Sequence, residues 1–340
     1  MSAKQFYQYN KRFELEAGGY FPDLTIAYHT YGKMNADKSN VVWICHALTA
    51  NSDVEDWWPG MVGEGCHFDP EDYYIVCANM LGSCYGSTGP LSINSETGKP
   101  YYLSFPMVTI RDMVNAYDLL RQYLKIDKIN TVIGGSCGGH QALEMALLLP
   151  DLIENLVVCV SSATESAWSK AVHTAQRMAM EADGTWGEDN ENAAIEGMKA
   201  ARGIGLLTYR TIEAYIQTQN DEDNEKLDNY KASSYIKYQG EKLAKRFNAY
   251  SYWYLSKALD THNVARGRGS LVDVLNSIKA KTLIVSIDSD ILIPVSEQKT
   301  LAENIPGSKH EIIHSDYGHD GFLIEHEKIT AKLKDFFSNK

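Results

Sequence analysis

The chain has 340 residues, of which 44% are hydrophobic and 22% charged, and this composition excludes a disordered or fibrous protein. Its net charge of −12, with basic residues scattered along the chain, argues against nucleic-acid binding. Because the N-terminus has no apolar signal-peptide core and no apolar run approaches the ~18 residues of a membrane helix, we expect a cytoplasmic protein that binds no membrane.

The first half of the chain alternates short β-rich runs with helical patterns, which predicts an α/β fold with a mostly parallel sheet. The helix at 109–126 is well marked, because Thr109 fits an N-cap and Asp112 places an acid in the first turn. The predicted elements are strands 25–31, 41–45 and 73–78, helix 109–126, strand 130–134, helix 137–149 and strand 155–160.

From about residue 166 the pattern changes to long helical stretches without a convincing strand, and strands return only after residue 270. We therefore predict one core domain, formed by residues 1–165 and 271–340, that is interrupted by an inserted helical cap at 166–270. The predicted elements after the cap are strand 282–287, helix 295–304, strand 311–314 and a single final helix at 321–337.

The six cysteines form no C-x-x-C pair, and the ten histidines show no zinc-binding spacing. Several cysteines lie in apolar runs, where reduced thiols act as small core residues. We therefore expect no disulfides and no metal site.

A G-x-S-x-G sequence, Gly134-Gly135-Ser136-Cys137-Gly138, lies between a predicted strand and a predicted helix. This is the context of a nucleophile elbow, in which glycines permit a strained turn and the serine projects at the carboxyl edge of the sheet. A Gly-rich phosphate loop or a plain tight turn is the alternative.

A serine nucleophile needs a base and an orienting acid, expected in the chain order Ser, Asp or Glu, His. Asp290 follows the strand at 282–287, and His319 lies in a Gly-flanked loop between the last strand and the last helix. We therefore assign Ser136, Asp290 and His319 as the catalytic triad. The alternatives are Asp288 for the acid and His310 or His314 for the base.

Acyl chemistry also needs donors for the developing oxyanion, usually the amide after the nucleophile and one after an early strand. The amides of Cys137 and Leu48 fit these positions. We reject the Cys137 thiol as the nucleophile, because its place at the helix start turns it away from the position that the elbow exposes.

Further motifs lie on both sides of the elbow, in segments 45–49, 81–90, 105–112 and 318–323 and, within the predicted cap, in 201–210 and 234–247. Together with 134–144 they resemble the homoserine O-acetyltransferase family of α/β-hydrolase-fold enzymes, over nearly the whole chain. The resemblance implies transfer of an acetyl group from acetyl-CoA to L-homoserine by a ping-pong mechanism in methionine biosynthesis, with no permanently bound cofactor.

The resemblance also implies that Arg202, Tyr209, Asp320 and Thr49 bind substrate and that the protein is a homodimer. Arg202 supplies a donor fork for a carboxylate, and Asp320 an acceptor for an ammonium group. Basic residues of the cap must offset the net charge toward anionic coenzyme A. The candidates are Arg177, Lys237, Lys242, Lys245 and Arg246.

The triad does not distinguish acetyl transfer from related reactions, because water and alcohols attack the same acyl-enzyme. Transfer of a succinyl group, transfer to L-serine and carboxylic ester hydrolysis are the alternatives within this fold. An inactive hydrolase that acts as a ligand receptor is an alternative of another class.

Overall fold

The computed structural model describes residues 3–338, which form twelve strands and twelve α-helices. The strands are β1 (Gln5–Tyr9), β2 (Phe13–Glu14), β3 (Tyr20–Phe21), β4 (Leu24–Tyr31), β5 (Val41–Cys45), β6 (Tyr74–Ala78), β7 (Ile93–Asn94), β8 (Lys99–Pro100), β9 (Ile129–Gly135), β10 (Ile153–Cys159), β11 (Lys281–Ile287) and β12 (Lys309–Ile313). The helices are α1 (Val54–Trp57), α2 (Ile110–Tyr123), α3 (Cys137–Leu148), α4 (Ala167–Glu181), α5 (Ile195–Tyr209), α6 (Ile212–Gln219), α7 (Lys231–Ala244), α8 (Ala249–Asp260), α9 (Leu271–Asn276), α10 (Val295–Asn304), α11 (Gly321–Ile324) and α12 (His326–Ser338). Two 3₁₀ turns lie at Tyr102–Ser104 and Gly318–Asp320.

The main sheet of this described range has eight strands in the order β1-β4-β6-β5-β9-β10-β11-β12. Strand β4 pairs antiparallel with β1 and β6, and all other neighbours are parallel. The predicted mostly parallel α/β sheet is therefore confirmed. Since the carboxyl ends of β9, β11 and β12 lie at one edge, the loops that follow them meet there.

Hydrophobic side chains pack on both faces of this sheet, as strand β5 shows. All of its residues are buried, with Val41 and Trp43 in one hydrophobic cluster and Val42 and Ile44 in another. Helices α2 and α3 contribute to the first cluster and α12 to the second. A central parallel strand covered by helices on both sides needs such a continuous apolar run.

The start of α2 shows how local sequence sets an element. Thr109 Oγ1 accepts from the Asp112 amide, and Asp112 Oδ2 accepts from the Thr109 amide, so the predicted N-cap is a complete capping box. Strand 41–45 and helix 295–304 have their predicted bounds, and the other predicted core elements agree within a few residues.

The prediction of one final helix at 321–337 is wrong, because the chain forms α11 and α12 with a break at Glu325. Trp58 Nε1 donates to the Phe322 carbonyl at 3.1 Å. In a continuous helix that carbonyl would accept from the His326 amide, so a distant tryptophan replaces one bond of the helical ladder.

Between β10 and β11 lie the helices α4 to α9, with no strand element from Ala167 to Asn276 in the part of the chain that the structure describes. Helix α4 packs against α5 and α8, and α5 against α7. Two antiparallel backbone bonds join the chain on either side of α4 to α8: Glu165 N to His262 O at 3.0 Å and Val264 N to Ala163 O at 3.1 Å. The division into core and cap domains stays a prediction.

The six cysteines all fall within residues 3–338 and are free thiols. Among the helices of the same range, none combines the length and the apolar character needed to cross a membrane.

Candidate active site

Ser136 lies in the sharp turn between β9 and α3, with φ of 55° and ψ of −126°. A non-glycine residue in this region of backbone space carries strain of about 1–3 kcal/mol, which the surrounding packing must hold. The Ser136 amide donates to the Cys159 carbonyl of the neighbouring strand at 3.0 Å and fixes the turn against the sheet.

Three positions of the elbow require glycine, because neighbouring atoms leave no room for a Cβ. A Cβ on Gly135 would collide with the Phe322 ring, one on Gly138 with the Cys45 carbonyl, and one on Gly134 with the backbone of the first turn of α3. The sequence therefore folds into the tight strand, turn and helix that the G-x-S-x-G pattern predicts.

In the structure, consecutive hydrogen bonds join Ser136, His319 and Asp290. His319 Nε2 lies 2.8 Å from Ser136 Oγ, and His319 Nδ1 lies 2.7 Å from Asp290 Oδ2. Asp290 Oδ1 accepts from the amides of Leu292 and Ile293 at 2.8 and 3.0 Å. These bonds assign the Nδ1–H tautomer, in which Nε2 accepts the serine proton.

The electrostatic surroundings of His319 favour its protonated form. Burial by itself lowers the pKa of the ring, but the charge of Asp290 and its hydrogen bond to Nδ1 outweigh burial, so the pKa lies above the ordinary histidine value. His319 is only 4% exposed. A buried imidazole that gains a proton readily is suited to general-base chemistry.

The alternatives to the triad residues lie elsewhere. Asp288 and His314 pair with each other, Oδ2 to Nδ1, at 2.7 Å on the surface, where the His314 side chain is 80% exposed. His310 Nε2 lies 2.7 Å from Ser286 Oγ. None of these three contacts Ser136 in the described residues.

The two predicted oxyanion donors lie beside the serine. Cys137 begins α3, and Leu48 lines the cavity into which Ser136 opens, where its amide donates to no protein acceptor among residues 3–338. The Cys137 sulfur lies 3.6 Å from Met80 Sδ, and burial raises the pKa of this thiol to about 12. A thiolate nucleophile at this position is therefore excluded.

His46, which is fully buried, holds the loop that carries Leu48. Its Nδ1 lies 2.9 Å from the Ala47 carbonyl, and its Nε2 accepts from the Met80 amide at 3.2 Å. Burial lowers the pKa of His46 to about 4, so the ring is neutral and able to make both bonds.

A cavity of about 100 Å³ opens onto Ser136 and His319, and all four residues predicted to bind substrate line it: Thr49, Arg202, Tyr209 and Asp320. The Arg202 guanidinium carbon lies 5.5 Å from the centroid of the Tyr209 ring. Asp320 Oδ2 accepts from Arg210 Nε at 3.1 Å. The cavity therefore presents a cation and an anion near Ser136.

The basic residues suggested for coenzyme A separate into two groups. Arg177 is buried and bonds Asp260 at 2.6 Å and Ser256 at 3.1 Å, so it is unavailable to a ligand and that suggestion is wrong. Arg246 is exposed and donates to the carbonyl of the cavity residue Thr49 at 2.5 Å. The lysines at 237, 242 and 245 are exposed.

The elbow, the hydrogen-bonded Ser136, His319 and Asp290, and the sheet are typical of one class of protein. Residues 40–325 match the family model of the α/β hydrolase fold, and the chain belongs to that class. Two solved structures resemble the chain closely: esterase E22 (L374D mutant), with 26% identity, a TM-score of 0.89 and 99% of each chain covered, and homoserine O-acetyltransferase from Staphylococcus aureus, with 28% identity, a TM-score of 0.82 and 99% and 96% covered.

Within this class, the chain is 46% identical to homoserine O-acetyltransferase of Cyclobacterium marinum, over 98% of this chain and 95% of that protein. The chain belongs to the homoserine O-acetyltransferase family.

Proposed function

We propose that the protein transfers the acetyl group of acetyl-CoA to the side-chain hydroxyl of L-homoserine. The observation that carries this proposal is a hydrogen-bonded Ser-His-Asp group that opens onto a cavity lined by Arg202 and Asp320. The full-length homoserine O-acetyltransferase relatives of the chain support it. The product, O-acetylhomoserine, is an intermediate of methionine biosynthesis.

In the first half-reaction Ser136 Oγ attacks the thioester carbonyl while His319 Nε2 takes the hydroxyl proton. The tetrahedral oxyanion is stabilised by the amides of Leu48 and Cys137. The carbon–sulfur bond then breaks, and the coenzyme A thiolate leaves with the proton that His319 held. Ser136 is now an acetyl ester.

In the second half-reaction the homoserine hydroxyl attacks the acetyl carbonyl and gives its proton to His319. The bond from the acetyl carbon to Ser136 Oγ breaks, and His319 returns the proton to Oγ. Both halves use the same base and the same oxyanion donors, so one small cavity serves both substrates in turn.

The cavity lining supports an amino-acid acceptor. Arg202 is suited to the α-carboxylate and Asp320 to the α-ammonium group, because a planar cationic fork and a carboxylate complement the two ends of a zwitterion. Apolar side chains, among them Leu259, Leu292 and Leu323, limit the space left for water.

The test is a thiol-reagent assay of coenzyme A release by the purified protein with acetyl-CoA and L-homoserine. We expect release that depends on homoserine and that the Ser136→Ala variant abolishes. A panel with succinyl-CoA and L-serine, read by mass spectrometry, separates the related transfers. Release that is independent of every acceptor in the panel would contradict acyl transfer.

Carboxylic ester hydrolysis is a second candidate, because the likeness to esterase E22 covers 99% of the chain. An esterase passes the acyl group to water, so it hydrolyses a chromogenic acetate ester at a rate that homoserine does not change. In a transferase, homoserine diverts the acetyl group from that ester to O-acetylhomoserine. The same purified protein distinguishes the two.

We also propose that the protein is a cytoplasmic homodimer. A groove of about 530 Å³ on the helical cap is bordered by exposed apolar side chains, of which Ile212 is 74%, Leu207 61% and Ile216 53% exposed. Apolar patches of this kind are typical of protein interfaces. Light scattering should give twice the chain mass, and Ile212→Glu should give a monomer.

A further inference from the structure

A second aspartate–histidine pair faces the cavity that holds Ser136. His173, in α4, lines this cavity together with Arg202 and Asp320. Its Nδ1 lies 2.9 Å from Asp260 Oδ1, at the end of α8. Neither residue belongs to the triad or to the substrate-binding residues predicted from the sequence.

The partners of Asp260 determine which nitrogen of His173 carries the proton. Arg177 donates to Asp260 Oδ2 at 2.6 Å and to Ser256 Oγ at 3.1 Å, so the Asp260 charge is balanced within the protein. A carboxylate accepts only, so the bond to Asp260 assigns the Nδ1–H tautomer of His173. In this tautomer the lone pair lies on Nε2.

His173 Nε2 makes no hydrogen bond to any protein group within residues 3–338, although the ring is only 5% exposed. Nε2 is not fully enclosed by protein atoms, so it retains contact with the cavity space. The cavity therefore holds an oriented hydrogen-bond acceptor that the protein itself leaves unused.

The acceptor substrate brings donors that need such a partner. An ammonium group has three N–H bonds, and Asp320, the acceptor proposed above, already receives Arg210 at 3.1 Å on one of its oxygens. A buried donor without an acceptor costs about 1–3 kcal/mol or more when it is charged. One carboxylate shared with Arg210 does not satisfy the ammonium group.

We infer that His173 is a specificity-determining residue whose Nε2 accepts a hydrogen bond from the α-ammonium group of the amino-acid acceptor. This inference rests on the proposed function, since it names a further contact of the same site. Together with Arg202 and Asp320, His173 makes the cavity selective for an amino acid over a hydroxy acid that lacks the ammonium group.

The test compares His173→Asn with the wild-type protein. Asn keeps an N–H near the position of Nδ1, and so the bond to Asp260, but has no atom at the position of Nε2. Two acceptors are used: L-homoserine and 4-hydroxybutyrate, which has the same carboxylate and hydroxyl and no ammonium group. As the matched control, His326→Leu removes a histidine that lines a different cavity.

We expect His173→Asn to lower kcat/KM for L-homoserine about 10- to 100-fold, the loss of one hydrogen bond to a charged group, while kcat/KM for 4-hydroxybutyrate changes by less than about threefold. His326→Leu should leave the ratio of the two acceptors unchanged. Acetylation of the enzyme by acetyl-CoA alone should proceed at the wild-type rate in His326→Leu.

Competitive inhibition gives a second readout that needs no turnover of the analogue. The wild-type protein should bind L-2-aminobutyrate more tightly than butyrate, and His173→Asn should narrow this difference about tenfold or more. Equal losses for acceptors with and without the ammonium group would overturn the inference and assign His173 to packing. Failure of the proposed function would show differently, as no homoserine-dependent release of coenzyme A by the wild-type protein.

Discussion

At the residue scale, two aspartate–histidine pairs arise from the same two loops and differ in burial. Asp290 and His319 are buried and reach Ser136, whereas Asp288 and His314 pair on the surface. The sequence places both aspartates after the same strand, so it narrows the acid to two residues. Which of them turns inward depends on backbone amides that only the folded loop brings to Asp290.

Asp290→Asn should lower kcat by about 10⁴-fold with the fold intact, because an amide permits the wrong tautomer of His319 and no longer stabilises the imidazolium. The matched control is Asp288→Asn, which changes the surface pair with His314 and keeps an oxygen to accept from the Ser315 amide. Steady-state kinetics and circular dichroism of the two variants give the comparison. Similar losses in both variants would contradict the assignment of Asp290.

Activity should fall in acid with a midpoint above the ordinary histidine pKa of 6.5, because Asp290 stabilises the protonated ring of His319. As pH falls through the raised pKa, Nε2 gains a proton and no longer accepts the serine hydroxyl. The measurement is kcat/KM for acetyl-CoA between about pH 5 and 9. An acid limb well below 6.5 would contradict His319 as the base in this environment.

At the scale of the elements, buried strands and capped helices were predictable, whereas the first edge strand of the sheet was not. The strand at 41–45 is apolar throughout and α2 has a capping sequence, so their local signals agree with the fold. Strand β1 (Gln5–Tyr9) alternates half-buried and exposed residues and was not predicted. The break before α12 depends on Trp58, which no local pattern reveals.

Gly138→Ala should destabilise the protein by about 1–3 kcal/mol, since the new Cβ would collide with the Cys45 carbonyl and force the first turn of α3 away from β5. The displaced turn should also reduce kcat, because it carries the Cys137 amide. Gly184→Ala is the control, as no heavy atom lies within 4 Å of its added Cβ. Urea unfolding should leave Gly184→Ala within about 0.5 kcal/mol of wild type. Equal stability of both variants would show that the elbow tolerates a side chain at 138.

At the scale of the whole molecule, a charged network joins segments far apart in the chain. Glu144 of α3 accepts from Arg111 of α2 at 2.8 Å and from Arg268, between α8 and α9, at 2.7 Å. Glu16, near the start of the chain, also pairs with Arg111 and with Arg266. The chain that follows α8 is thereby fixed to α2 and α3, the two helices beside the elbow.

Glu144→Ala should lower the free energy of unfolding by about 1–3 kcal/mol, because Arg268 loses its carboxylate partner, whereas Arg111 keeps Glu16. Glu14→Ala removes a carboxylate that pairs with an exposed arginine, and it should lower the free energy of unfolding by about 0–1 kcal/mol. Denaturant titration measures both. If Glu144→Ala lowers the free energy of unfolding by no more than Glu14→Ala does, the structural role of the network is contradicted.

The packing of the whole molecule also explains why sequence patterns did not predict one pair of residues at the site. Ser136, Asp290 and His319 follow strands that share one edge, so their meeting was predictable. His173 and Asp260 lie in α4 and α8, and neither belongs to a motif. Their pairing arises from the packing of α4 against α8, which spacing along the chain does not show.

The central claim is that Ser136 carries the acetyl group between the two substrates. The most direct measurement is to incubate the protein with labelled acetyl-CoA and no acceptor, digest it and analyse the peptides by mass spectrometry. The account predicts the label on the peptide containing Ser136 and its loss when L-homoserine is added, with labelled O-acetylhomoserine as the product. Homoserine-dependent turnover with no label on that peptide at any time would contradict the account.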